Sequence, residues 1–192
     1  GIVLIPPAVS AYVGSDILAS VLASGMAEDA DTTALLIDIG TNGEIVLNDD
    51  GHFIACSTAA GPAFEGAEIS CGVGGIAGAI NSVKPGKEIT FTTILDRAPL
   101  GFCGAGIVDL LALLLEAGLV DETGRMLTRE EAMHKHLSFA SRLTAVEGEP
   151  AFELVPARES DTGLPLLLTQ QDVREIQLAK AAIAAGIRTL LN

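Results

Sequence analysis

The stretch Leu35–Leu47, with the sequence LLIDIGTNGEIVL, consists of two apolar runs separated by a short polar turn that contains glycine. The first run, Ala34–Asp38, has the composition of a buried strand. The Asn-Gly pair that follows it is the strongest short hairpin signal, because both residue types tolerate positive φ. A return strand over Glu44–Asn48 and a third strand over His52–Ser57 complete a predicted three-stranded meander.

The segments outside the meander alternate between helical and strand patterns, which predicts an α/β fold. The predicted helices cover Ala8–Met26, Pro62–Cys71, Ala105–Ala117 and Thr169–Leu191, and the further strands cover Ile2–Ile5, Ala79–Val83, Glu88–Leu95 and Phe152–Pro156. The last helix begins with a predicted capping box formed by Thr169 and Asp172. We divide the chain into four parts: a connecting helix region (1–30), a core with the hairpin (31–118), an irregular inserted subdomain (119–168) and a C-terminal helix (169–192).

The composition excludes several classes of partner. The chain has 192 residues, of which 25 are acidic and 11 basic, so its formal charge is −14 and it would repel nucleic acid. ATP is compatible with this charge, because Mg²⁺ and backbone N–H groups can supply positive charge locally. The three cysteines include no CxxC pair, which argues against a disulfide scaffold or a self-contained cluster and favours a cytoplasmic location. No apolar run approaches the roughly 18 residues of a membrane span, so we expect none.

The hairpin is the first candidate binding site. Asp38 ends a predicted strand, from which it could hold Mg²⁺ directly or through water. Gly40 and Gly43 would let the backbone approach a phosphate group. The Thr41 hydroxyl and the N–H groups of the turn, which includes Asn42, could donate to the phosphate oxygens. An ordinary structural hairpin explains the same residues as well.

Three other segments contain candidate residues. Gly61 precedes a predicted helix N-terminus that would attract anions, and Glu65 on that helix could orient water or a metal ion. Gly104 opens an apolar helix that could bind an anion. Gln177 and Lys180 share one side of the last helix and could contact an adenine. Each has a structural alternative. Glu65 could belong to a solvated acidic face, Gly104 could let a helix pack closely on the sheet, and Lys180 could extend from a half-buried helix to solvent.

Two common nucleotide-binding motifs are not found. A Walker A loop needs Gly-Lys followed by Ser or Thr, and the sequence has no such triplet. The glycine-rich stretch Gly72–Gly78 follows a predicted helix, whereas a Rossmann fingerprint follows a strand. Both of those nucleotide folds are therefore disfavoured.

Four segments in order resemble a known family. They are LLIDIGTNGEIVL (35–47), ACSTAAGPAFEGAEISCG (55–72), GFCGAGIVDLL (101–111) and TQQDVREIQLAKAAIAAGI (169–187). Together they resemble the C-terminal domain of RACo-type reductive activators of corrinoid proteins. The resemblance covers nearly the whole chain.

The resemblance implies an RNase H-like lobe of the ASKHA superfamily, named for acetate and sugar kinases, Hsp70 and actin. Such a lobe has a mixed sheet with flanking helices, here with an inserted smaller subdomain. The ligand would be Mg-ATP, with Asp38–Gly43 as the second lobe's phosphate loop. Pro6–Ala23 would connect the lobes, and Gln177 and Lys180 would lie beside the adenine.

The resemblance also implies a parent protein with more parts than this chain. That protein would carry a [2Fe–2S] ferredoxin domain and use ATP to reduce a Co(II) corrinoid protein to Co(I), the methyl-accepting state. The implied partners are the corrinoid protein, the remaining lobe and ferredoxin domain of the parent chain, and a second copy in a homodimer. The cluster would lie in the parent and not in this chain.

By itself the chain would lack the first lobe's phosphate loop and an adenosine segment, so we expect no useful ATP turnover from it. Two other functions stay open. A small-molecule kinase lobe of the same superfamily would need a base near the γ-phosphate of ATP. A non-catalytic docking module would use its loop glycines for folding and its surface for a protein partner.

Overall fold

A computed structural model describes residues 7, 8, 10, 12–29 and 31–192. The chain forms two compact units. The first unit contains the residues up to Gly61 together with Ala179–Asn192, and the second contains Pro62–Leu178. The chain therefore divides after Gly61, within the stretch that the sequence assigned to one core (31–118), and again inside the last helix.

The first unit is built on the meander that the sequence predicts. Helix α1 covers Ser15–Ala23, and strands β1 (Ala34–Ile39), β2 (Gly43–Asp49) and β3 (His52–Thr58) follow it. The three strands form an antiparallel sheet in the order β1-β2-β3, which confirms the predicted meander. One face of the sheet packs on α1, where the buried side chains are those of Val13, Ile17, Val21, Met26 and Val46, with Ala34 and Leu36 beside them.

Helix α1 is shorter than the helix predicted over Ala8–Met26. It begins after Gly14, whose extended backbone makes it the N-cap residue, and it ends before Ser24. The strand predicted over Ile2–Ile5 lies outside the described residues. Among the described residues, no helix is long and apolar enough to cross a membrane.

The second unit contains a small mixed sheet. Strands β4 (Ala79–Lys84), β5 (Thr90–Thr93) and β6 (Gly101–Phe102) lie in the order β5-β4-β6, with β4 and β6 parallel. Helix α2 covers Gly104–Glu116, close to its predicted range, and buries the side chains of Ile107, Leu110 and Leu114. The strand predicted over Glu88–Leu95 is shorter in the structure, where β5 covers Thr90–Thr93.

A second sheet occupies the stretch that the sequence marks as irregular. Helix α3 (Arg129–His134) precedes strands β7 (Leu143–Val146), β8 (Glu149–Val155) and β9 (Leu166–Thr169), which form an antiparallel sheet in the order β7-β8-β9. The two residues between β7 and β8 are Glu147 and Gly148, and both have positive φ. This is the geometry of a tight hairpin turn, but glutamate is not among its usual residues, so the sequence signal is weak.

Helix α4 covers Gln170–Leu190, with residues 170–178 in the second unit and 179–190 in the first. Its predicted capping box is confirmed. The Asp172 N–H donates to the Thr169 hydroxyl at 3.1 Å, and the Thr169 N–H donates to the Asp172 carboxylate at 2.7 Å. In the first unit, Gly186 of α4 lies directly on the sheet, because a Cβ there would be 2.6 Å from the Ile45 side chain.

The segment Pro62–Cys71 is not the helix that the sequence predicts. Only Pro62–Glu65 form a short 3₁₀ turn. Gly66 and Glu68 then adopt φ values of 84° and 63°, which an α-helix does not allow. The segment is a series of tight turns, and these determine where Glu65 is placed.

Candidate functional site

The loop between β1 and β2 contains three residues, Gly40, Thr41 and Asn42. Ile39 and Gly43 are paired across the two strands, and the Gly40 N–H donates to the Asn42 carbonyl at 3.1 Å. Neither Asn42 nor Gly43 has positive φ. The predicted reason for the Asn-Gly pair, that both residues tolerate positive φ in the turn, is therefore wrong.

Packing explains the glycine at position 43. A Cβ on Gly43 would lie 2.8 Å from the Thr58 hydroxyl and 3.1 Å from the Ile183 side chain. The Thr58 hydroxyl in turn donates to the Gly43 carbonyl at 3.2 Å. The residue joins the start of β2 to the end of β3 and to α4, so the base of the loop is tightly held.

A second backbone segment meets the tip of this loop. The Gly61 N–H donates to the Thr41 carbonyl at 2.9 Å. Gly61 has a φ of 76°, and, its chain neighbours aside, no atom of the described residues lies within 4 Å of the position that a Cβ would take. Thr41 and Asn42 are exposed at the tip. The predicted residues Asp38, Gly40–Gly43 and Gly61 are thus gathered at one corner of the first unit.

Three carboxyl groups concentrate negative charge at this corner. Asp38 is exposed on β1 and lies opposite Glu44 in the strand register. The pKa of Glu44 is raised chiefly by burial, and the charges of Asp16 and Asp38 add to that rise while a hydrogen bond with Ser57 opposes it. The corner therefore favours a cation and disfavours a bare phosphate.

Sequence reasoning did not find Glu44 and Asp16. Glu44 could have been found, because a three-residue loop centred on Thr41 pairs positions 38 and 44 across the hairpin. Asp16 is brought near only by the packing of α1 on the sheet, which no local pattern reveals.

Glu65 and Gly104 belong to the second unit, and Phe64, the residue before Glu65, lies against Gly104. Glu65 is exposed at the end of the 3₁₀ turn. Gly104 is the first residue of α2, and a Cβ there would collide with the carbonyl oxygen of the neighbouring Phe64. This packing explains the glycine, and the nucleotide-binding role of Gly104 stays a prediction.

Gln177 and Lys180 differ in their surroundings. The Gln177 amide donates to the Thr123 carbonyl at 3.0 Å and accepts from Arg174 at 2.7 Å. These contacts hold the turn before Arg125 against α4 in the second unit. Lys180 is exposed in the first unit, one helical turn before Ile183, the residue that packs on Gly43. The adenine contact predicted for the two residues stays a prediction.

Comparison with protein families gives a direct match. Residues 32–192 match the family described as the C-terminal domain of RACo, the ASKHA domain. The chain is 40% identical over 189 residues to the corrinoid activation enzyme RamQ of Eubacterium limosum. It is 26% identical over 212 residues to the [Co(II) methylated amine-specific corrinoid protein] reductase of Methanosarcina barkeri.

A solved structure agrees with these matches. The reductive activator for corrinoid, iron-sulfur protein superposes with a TM-score of 0.86 at 39% identity, over 100% of this chain and 30% of that one. The alignments cover 97% and 98% of this chain but 31% and 34% of the two relatives, so the chain spans about a third of their length. The predicted ASKHA fold class is confirmed, and the chain belongs to the family of RACo C-terminal ASKHA domains.

Proposed function

We propose that this chain is the ATP-binding lobe of a reductive activator that couples ATP to the reduction of a Co(II) corrinoid protein to Co(I). The names of its relatives, a corrinoid activation enzyme and a corrinoid protein reductase, support a role in corrinoid reduction. The observation that carries the nucleotide role is the corner where the Gly40–Asn42 loop and Gly61 meet beside Asp38.

The loop tip is suited to a phosphate whose negative charge is neutralised by a bound cation. Thr41 and Asn42 are exposed polar residues, and the space beside Gly61 would let a phosphate group approach the backbone. The base of the loop is fixed by the packing of Gly43, so little ordering is required when a ligand binds. Hydrogen bonds to a charged group stabilise by about 1.5–3 kcal/mol each, so a few of them can anchor a triphosphate.

Mg²⁺ fits the chemistry of this corner. Its preferred ligands are carboxylate oxygens, water and the phosphates of a nucleotide, and the Asp38 carboxylate could hold it through water. Among the described residues, no three His, Cys, Asp or Glu side chains are grouped as ligands for a metal ion. The ion would neutralise phosphate charge beside Asp38 and Glu44, so we expect ATP to bind only with Mg²⁺.

Two of the three cysteines of this chain, Cys56 and Cys71, do not fit an iron–sulfur cluster. Cys56 lies against the Gly186 carbonyl, and the Cys71 thiol lies against Leu167 and Pro165, so both have structural contacts. Burial raises the pKa of both thiols, which disfavours the thiolate form that a cluster needs. We infer that a [2Fe–2S] ferredoxin domain, if the parent protein has one, is a separate part of it.

Coupling would follow from nucleotide-dependent closure. Two lobes of the parent would close on Mg-ATP, and Glu65 would orient the attacking water. A change in closure can alter the affinity for the corrinoid protein only if the partner binds the two states differently. The partners are therefore the corrinoid protein and the remaining lobe and ferredoxin domain, with a second copy as a further partner.

A docking module is the second candidate, and one observation favours it. The side chains of Leu35, Ile37 and Ile39 are 39%, 37% and 51% exposed on β1. Exposed apolar side chains along one strand are typical of a surface that a protein covers. This reading predicts that the parent protein binds no nucleotide at all.

Calorimetry of Mg-ATP binding to the full-length parent protein separates the two candidates. We expect Asp38→Ala to weaken binding by about tenfold to a hundredfold, the loss of one charged contact. Asp49→Ala removes an exposed carboxylate at the far end of β2 and should leave binding unchanged. Equal binding by wild type and Asp38→Ala would contradict the phosphate-loop assignment, and no binding by wild type would favour the docking module.

A further inference from the structure

Asp172 has more hydrogen bonds than a helix cap requires. Its carboxylate is 0% exposed. One oxygen accepts from the Thr169 N–H, which completes the capping box, and the other accepts from both the N–H and the hydroxyl of Ser70, at 2.7 and 3.0 Å. Ser70 is 102 residues away in the chain. A buried carboxylate that joins two distant segments is costly to place, so these contacts stabilise a specific arrangement.

The turn segment that Asp172 holds leads back to Glu65 through close backbone contacts. Gly72, two residues after Ser70, lies against the carbonyl of Gly66, where a Cβ would collide. Gly66 in turn packs on Val73, since a Cβ there would be 2.5 Å from the Val73 backbone. Gly66 directly follows Glu65. Because these backbone segments are in close contact, a displacement of Ser70 would also displace Glu65.

The other side of Glu65 is held independently. Phe64 lies against Gly104 at the start of α2, and the Gly66 N–H donates to the Ala63 carbonyl at 3.1 Å. Glu65 therefore stands between an anchor on α2 and an anchor on α4. Asp172 is the charged group of the second anchor.

We propose that Asp172 is a positioning residue that, through Ser70, sets the place of Glu65. This inference rests on the proposed function, in which Glu65 orients water for ATP hydrolysis. Asp172 itself is 0% exposed, so it has no surface with which to contact a nucleotide. Its loss should therefore lower kcat and leave the affinity for Mg-ATP nearly unchanged.

The test uses the full-length parent protein and its ATP hydrolysis rate. Asp172→Asn should lower kcat by about tenfold to a hundredfold, as expected for a misplaced catalytic group, with KM for Mg-ATP within about threefold of wild type. Thr169→Ala is the matched control, because it removes the other half of the same capping box and leaves both hydrogen bonds from Ser70 to Asp172 in place. Besides the cap, it removes only the long contact of 3.5 Å between the Thr169 and Ser70 hydroxyls. We expect its kcat to stay within about twofold of wild type.

A double-mutant cycle shows whether Asp172 acts through Glu65. In a Glu65→Gln background, Asp172→Asn should cause no further loss of kcat, because the two changes act on one group. A full further loss in that background would overturn the proposal, as would equal behaviour of Asp172→Asn and Thr169→Ala.

Amide hydrogen exchange provides a second readout that does not depend on ATP hydrolysis. The amides of residues 65–70 should lose protection in Asp172→Asn and keep it in Thr169→Ala. If Glu65→Gln hydrolyses ATP at the wild-type rate, the role of Glu65 in the proposed function fails. The exchange pattern then decides on Asp172: loss confined to Asp172→Asn supports its positioning of the turn, and equal protection in the two variants overturns it.

Discussion

At the scale of single residues, the carboxyl groups near the β1–β2 loop determine the local charge. Glu44 is partly buried and faces Asp38 and Asp16, and its pKa is raised from the ordinary value of 4.5. The folded protein therefore binds this proton more tightly than the unfolded chain does. By linkage, the stability that comes from Glu44 is fully present below pH 4.5 and is lost as the pH rises through the folded-state pKa.

Glu44→Gln should remove this pH dependence. At pH 7 we expect the variant to be more stable than wild type, by less than about 1 kcal/mol because solvent screens these charges. Towards pH 4 the difference should shrink, since the wild-type carboxyl becomes neutral. Thermal unfolding of both proteins from pH 4 to 8 measures it, with Glu122→Gln at an exposed site as control. A stability gain that grows as the pH falls would contradict the assignment.

Gly43 is constrained by packing, and this can be measured separately. Gly43→Ala should lower the free energy of unfolding by about 1–3 kcal/mol, because the added methyl group meets Thr58 and Ile183. Gly74→Ala is the control, since, apart from its chain neighbours, no atom in the described part of the chain lies within 4 Å of its Cβ position. It should change stability by less than about 0.5 kcal/mol. Urea unfolding compares the two. Equal stability of both variants would mean that the hairpin base can relax.

At the scale of elements, a helix, strand or cap could be predicted from the sequence when neighbouring residues specify it. The meander β1–β3, helix α2 and the Thr169–Asp172 capping box were predictable, because each is specified by residues next to one another. The predicted helix over Pro62–Cys71 failed, because its turns depend on contacts with Val73 and α2. In the same way, the hydrogen bonds of Asp172 to Ser70 and the approach of Asp16 to Glu44 arise from tertiary packing. The residues of the predicted phosphate loop thus lie on one hairpin that the sequence specifies, and its register also indicates Glu44, whereas the approach of Asp16 cannot be predicted from sequence.

The β7–β8 hairpin shows an element built against its local preference. Glu147 has a φ of 52° at the first turn position, where Asn is favoured. Glu147→Asn should raise the free energy of unfolding by about 0.5–1 kcal/mol, since Asn tolerates the left-handed region. Glu149→Asn, in β8 itself, should be neutral or slightly destabilising. Urea midpoints of the two variants provide the comparison, and a loss of stability in Glu147→Asn would contradict the turn geometry.

At the scale of the whole molecule, the chain has both a large negative charge and exposed apolar side chains. The chain combines a formal charge of −14 with a mean hydropathy of +0.47. Part of the apolar surface is on β1, where Leu35, Ile37 and Ile39 are exposed. Within the described residues, β1 is paired with β2 on one side only. The relatives are about three times as long as this chain. We expect other parts of the parent protein to cover this strand.

Formation of Co(I) by the full-length parent protein tests the central proposal most directly. The protein would be mixed with its cognate corrinoid protein in the Co(II) state and a one-electron donor, with and without Mg-ATP, while the visible spectrum of the corrinoid is followed. We expect ATP-dependent Co(I) formation by wild type and by Asp49→Ala, and a loss of about tenfold or more in Asp38→Ala at limiting ATP. Co(I) formation that is equally fast without ATP, or unaffected by Asp38→Ala, would contradict the role proposed for this lobe in coupling ATP to corrinoid reduction.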